Sequence, residues 1–81
     1  MEGADVYASD DEKIGQVDAY LTEPSENRIT HILISQGILF EKKVLVPSIW
    51  VSMVMEDKIH LVVDRDLIER LPEYEMEGSP S

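Results

Sequence analysis

The chain has 81 residues, no cysteine and a formal net charge of −10. A chain of this length forms one small domain, and without cysteine it has no disulfide, thiolate metal ligand or cysteine nucleophile. Nucleic-acid phosphates are bound mainly by lysine and arginine, so the excess of acidic side chains argues against direct nucleic-acid binding. An acidic surface instead suits a basic partner protein, or serves solubility alone.

The sequence predicts neither a targeting segment nor a membrane span. No basic and apolar leader opens it, and no apolar run approaches the roughly 18 residues of a membrane helix. We therefore expect a soluble, cytoplasmic protein with a loose N-terminus at residues 1–3. Residues 4–74 form the domain, and residues 75–81 form a flexible acidic tail.

The first half of the chain predicts three strands. Residues 5–8 form a short one, and residues 14–22 alternate so that Val17, Ala19 and Leu21 share one face. Gly15 at the head of this strand indicates a bulge or a close backbone approach.

Residues 23–27 predict a hairpin loop, because Pro24 cannot donate to a ladder. In the strand that follows, residues 28–35, alternation divides the side chains between two faces. Thr30, Ile32 and Ile34 lie on one face, and Ile29, His31 and Leu33 lie on the other.

The second half predicts further short extended segments. Residues 38–40 and 43–46 follow Gly37, and Pro47 interrupts hydrogen bonding. A strand then runs to about Met55 and turns into another at residues 58–63.

A terminal helix is predicted from Leu67, Ile68 and Leu71, which follow helical spacing. Asp66 with Glu69 fits a capping box, and Asp64 is the competing cap. Pro72 ends the helix. With no helix between strands, we expect a small, closed or partly open antiparallel β-barrel of about six strands with a short C-terminal helix.

Several motifs in this order resemble the PRC-barrel domain, the barrel shared by the photosynthetic reaction-centre H subunit and a ribosome-maturation factor. They are Ile14-Gly15 with Val17, the run ITHILI, Val46-Pro47, and LPEY after the helix, and the resemblance spans residues 4–74. It implies an adaptor role without a reaction. It also implies a set of side chains that point largely inward: Val17, Ile32, Ile34, Val46, Val51, Val54, Ile59 and Leu61. Val51 and Val54 are three apart, which predicts a bulge between them.

No residue pattern predicts catalysis or a cofactor. His31 and His60 are isolated and lack the further ligands of a zinc site. Ser35, Ser48 and Ser52 lack a nucleophile elbow. We therefore expect that the protein is not an enzyme and carries no metal or other cofactor. A small-ligand or metal site near His31 or His60 is the alternative.

The sequence favours a protein-interaction module that forms a homodimer and binds an unidentified, basic protein. The predicted interface is an apolar patch on the face turned away from the core: Ile29, Leu33, Ile38, Leu39 and Phe40. A terminal helix lying over Ile29 and Leu33 would instead cover part of it. The alternative function is an assembly factor that binds a basic component of the ribosome or of another ribonucleoprotein.

Overall fold

The computed structural model describes residues 3–37 and 42–75. Six strands are followed by one short helix, as expected, and a single 3₁₀ turn, Ser48–Trp50, precedes β5. The predicted extended segment at residues 38–40 lies outside the described residues. The elements are β1 (Asp5–Tyr7), β2 (Lys13–Glu23), β3 (Arg28–Gln36), β4 (Lys42–Pro47), β5 (Val51–Val54), β6 (Lys58–Leu61) and α1 (Arg65–Arg70).

The strands form one sheet in the order β4-β3-β2-β1-β6-β5. Hydrogen bonds between the described strands do not close it, so the barrel is the partly open form of the predicted fold. The prediction of a wholly antiparallel sheet is wrong for one pair, because β1 and β6 run parallel, with Val6 opposite Ile59. A parallel pair needs a long crossover connection. Strands β2 to β5 supply that connection here, in place of a helix.

The barrel interior holds one apolar core drawn from every strand except β5, and from α1. The predicted inward positions at Val17, Ile32, Ile34, Val46, Ile59 and Leu61 are all buried. Val51 is only partly buried and packs against this core. Val54 is 66% exposed, so the prediction that it points largely inward is wrong. It belongs to the open edge of the barrel, where none of the described strands covers it.

The prediction that Ala19 shares a face with Val17 is wrong, because β2 contains a bulge between them. Val17 lies opposite Ile34, but Ala19 lies opposite Leu33, so Asp18 is an extra residue in the ladder. Because a one-residue shift moves every later side chain to the other face, Ala19 and Leu21 face outward. Tyr20, which simple alternation places on the face opposite to that of Val17, packs against the core.

Helix α1 lies at one end of the barrel. Asp64 is its N-cap and accepts a hydrogen bond from the backbone N–H of Leu67 at 3.0 Å, so the competing cap forms in place of the Asp66–Glu69 box. Ile68 is fully buried in the core. Lys42 Nζ donates to the carbonyl oxygen of Glu69 at 3.3 Å, which ties the helix to the first residue of β4.

Candidate functional site

An apolar groove lies on the open side of the barrel, between the β2–β3 hairpin and β5. Its volume is about 390 Å³. The groove is lined by Tyr20, Ile29, Ile32, Ser48, Val51, Val54 and Ile59. Apart from the Tyr20 phenol and the Ser48 hydroxyl, these side chains are aliphatic. Such a lining favours an apolar side chain over a polar substrate.

A second bulge brings Ile29 into this groove. On β3, His31 lies opposite Leu21 and Ile29 lies opposite the next residue, Thr22, so Thr30 is extra. Thr30 Oγ1 donates to the carbonyl oxygen of Leu21 at 3.5 Å. The extra residue moves Ile29 from the face of His31 to the face of Ile32, against the prediction from simple alternation.

A third bulge, in β5, shapes the opposite wall of the groove. It confirms the bulge that the sequence predicts between Val51 and Val54. Val51 lies opposite Leu61 and Val54 lies opposite Ile59, with an irregularity between Val51 and Met53. Val51 and Val54 therefore share the groove face although they are three residues apart. Ser52 Oγ donates to the carbonyl oxygen of His60 at 3.1 Å across this irregular stretch.

Strand β5 ends the sheet and carries apolar side chains in solvent. Met53 is 51% exposed and Met55 45% exposed, beside Val54 on the same strand end. Ile49, in the 3₁₀ turn before β5, is 79% exposed. Exposed apolar side chains concentrated on one edge strand are typical of an interaction site.

Only two of the predicted interface residues, Ile29 and Leu33, lie in the described part of the chain, and they occupy different faces of β3. Ile29 is 41% exposed and lines the groove, whereas Leu33 is 3% exposed and lies on the outer face of β3 between Ala19 and Leu45. Ile38, Leu39 and Phe40 lie outside the described residues. Helix α1 does not line the groove, so the alternative in which it covers Ile29 finds no support.

The two histidines occupy separate positions on the outside of the sheet. His31 Nδ1 lies 3.0 Å from Thr30 Oγ1. The His60 ring stacks on Tyr7 with ring centroids 5.3 Å apart, and its Nδ1 lies 3.9 Å from Asp11 Oδ1. Within residues 3–37 and 42–75, no group of three or more histidine, aspartate or glutamate side chains could hold a metal ion.

Two of the three serines that lack a nucleophile elbow, Ser48 and Ser52, make hydrogen bonds to the main chain. Ser48 Oγ donates to the carbonyl oxygen of Ile29 at 3.0 Å, and Ser52 Oγ donates to that of His60. A nucleophilic hydroxyl needs an adjacent base that accepts its proton. Both hydroxyls are directed at main-chain carbonyls instead, so they hold loops and strands in place.

Three acidic residues, Glu23, Glu56 and Asp57, lie at or after the ends of strands that line the groove and form no ion pair in the described part of the chain. Several basic side chains are engaged elsewhere in ion pairs: Lys13 with Asp5, Arg28 with Glu26, Lys43 with Asp18, Arg65 with Glu12 and Glu69, and Arg70 with Asp66. Glu23 is the last residue of β2, and Glu56 and Asp57 follow β5; both strands contribute side chains to the groove.

The family model of the PRC-barrel domain matches residues 1–68. The chain belongs to the PRC-barrel domain family. Such domains are generally non-catalytic and are often protein-interaction modules. A comparison with curated proteins found no match. Across the described part of this PRC-barrel domain, no helix has the length and apolar character needed to cross a membrane.

The ion pair between Lys13 and Asp5 makes the stability of the PRC-barrel domain depend on pH in the acid range. Hydrogen bonds from Lys13 and Gln16 hold the pKa of Asp5 below its usual range. A depressed folded-state pKa stabilises the fold above the unfolded-state pKa of about 4, and this contribution is lost as pH falls through the folded value. We expect the melting temperature to decline below about pH 4, and Asp5→Asn to make that decline shallower. An equally steep decline in the variant would show that other carboxylates control the acid response.

Proposed function

We propose that the protein is a non-enzymatic interaction module, an adaptor that binds another protein. The observation that supports this function best is the exposed apolar edge formed by β5 beside the groove. A marginal small domain gains nothing from such a surface when it is alone in water. A partner that covers it would add apolar burial to the stability of the complex.

The charge distribution supports a basic partner. The formal net charge is −10, and the basic side chains are largely engaged with this protein's own acids. Electrostatic attraction would therefore speed the encounter with a positively charged protein and would weaken as salt screens it. The alternative function, an assembly factor for a basic ribosomal or other ribonucleoprotein component, is supported by the same charge.

Affinity capture from host lysate at low and high salt tests this function. We expect the immobilised protein to retain basic proteins at low salt and to release them as salt rises. A charge-matched acidic protein of unrelated fold is the control, because it removes partners held by charge alone. Retention of the same proteins by this control, or of none by the PRC-barrel domain, would contradict the proposal.

We also propose that the protein forms a homodimer through the apolar segment at residues 38–40. The substitution Leu39→Asp should then yield a folded monomer, because a buried unpaired charge at a self-complementary interface is costly. Light scattering measures the mass and circular dichroism the fold. Val62→Asp is the matched control: Val62 is 56% exposed and lies outside this segment. A dimeric Leu39→Asp variant, or a monomeric wild type at high concentration, would refute the proposal.

A further inference from the structure

We infer that β5 and the groove bind an extended segment of the partner, with apolar side chains at alternate positions and basic residues at its ends. The segment adds a seventh strand to the six-stranded sheet beside β5. This inference rests on the proposed interaction function and adds the site, the binding mode and the chemistry of the partner.

The two ends of the sheet differ in a way that selects β5. At the β4 end, the backbone N–H of Tyr74 donates to the carbonyl oxygen of Lys43 at 2.7 Å, so the chain after α1 occupies that edge. At the β5 end, the described residues contribute no strand or backbone hydrogen bond on the outer side. An unpaired row of N–H and C=O groups is a template for another extended chain.

Side chains give the added strand its specificity. Val51 and Val54 face the groove from β5, and a neighbouring strand presents every second side chain to that same face. Those side chains would enter the cavity of about 390 Å³ against Ile29 and Ile32. The intervening side chains would lie over Met53, on the other face of β5.

Charge decides between a second copy of this chain and a different protein. Glu23 ends β2 at the groove, and Glu56 and Asp57 follow β5, with no described basic side chain in an ion pair with any of them. Pairing β5 with β5 of a second copy would bring together two chains that each carry a formal net charge of −10, which is unfavourable. A segment of a different protein with lysine or arginine at its ends would instead be attracted to these acidic residues.

A peptide-display experiment tests the inference. One library of short peptides has random central positions flanked by lysine pairs, and a second is identical except for flanking glutamate pairs. We expect binders only from the lysine-flanked library, with apolar residues at every second position. N-methylation of alternate backbone amides in a selected peptide should weaken binding at least about tenfold, because it removes the strand's donors.

Two variants locate the site. Val54→Asp should weaken peptide binding about tenfold or more, whereas the control Val62→Asp should leave it unchanged. The double variant Glu56→Lys with Asp57→Lys should lose the lysine-flanked peptides and accept glutamate-flanked ones. Melting temperatures and circular dichroism establish that each variant is folded.

The inference would be overturned by equal recovery from the two libraries, by binding that is insensitive to Val54→Asp, or by a lower oligomer mass for Val54→Asp in light scattering. The last would assign β5 to self-association. If wild type and Val54→Asp retained the same lysate proteins equally, the β5 site would be contradicted and the interaction function would still be supported. Failure of the wild type to hold any protein would remove the interaction function itself.

Discussion

Replacing Gly15 with alanine should lower the free energy of unfolding by about 3 kcal/mol, a large share of the stability of a domain this small. A Cβ at this position would lie 2.2 Å from the carbonyl oxygen of Ser35 and 3.3 Å from Cγ2 of Ile34. The first contact is with backbone, which cannot rotate away as a side chain can. The β2–β3 ladder would have to separate at the point where Gln16 pairs with Ser35.

Urea denaturation followed by circular dichroism measures this loss, and Gly3→Ala is the matched control. A Cβ at Gly3 meets nothing within 4 Å, but its φ of +85° is in the left-handed region. The control therefore reports backbone strain alone, about 1 kcal/mol. Equal losses for the two variants would show that the close approach at Gly15 has no cost of its own.

Ile68→Ala is the second change from which we expect a large effect, also about 3 kcal/mol of lost stability. Ile68 is fully buried and is the side chain through which α1 enters the core. A helix of six residues is not stable by itself in water. Truncating Ile68 should therefore leave a cavity at this end of the barrel and also loosen the helix.

The preceding residue in the helix supplies the control for this substitution. Leu67 is 37% exposed, and Leu67→Ala should cost no more than about 0.5 kcal/mol. Helical signal in far-ultraviolet circular dichroism should fall for Ile68→Ala and stay near wild type for Leu67→Ala. Comparable melting temperatures for the two variants would mean that α1 is not held by the core.

The sequence predicted where strands lie better than which way their side chains face. Simple alternation assigns the side chains of β3 to the correct faces only if every residue has a partner in the ladder with β2. Thr30 has no such partner, so the assignment fails before it. The same failure occurs at Asp18 in β2. Neither residue has a distinctive type, because these bulges follow from the curvature that the β2–β3 pair adopts around the core. The bulge in β5 was predictable because the family resemblance placed two valines three residues apart on the same face of the strand.

The parallel pair was not predictable from local pattern. A strand of three residues, Asp5–Tyr7, carries no signal for its direction relative to β6. The groove was missed for a related reason. The sequence showed the apolar run at Val51 to Met55 but not that β5 would end the sheet, and only that position leaves Met53, Val54 and Met55 exposed.

The central position of β1 has a consequence for the order in which the protein can fold during synthesis. Strands β2, β3 and β4 pair with their neighbours in the chain, whereas β1 gains its second partner only from β6, made much later. Nascent chains that end before Lys58 should therefore remain sensitive to protease, with one side of β1 unpaired. Contacts this distant along the chain slow folding and leave an exposed edge on the ribosome. The first strand to be synthesised therefore completes its pairing only after the last strand has been made.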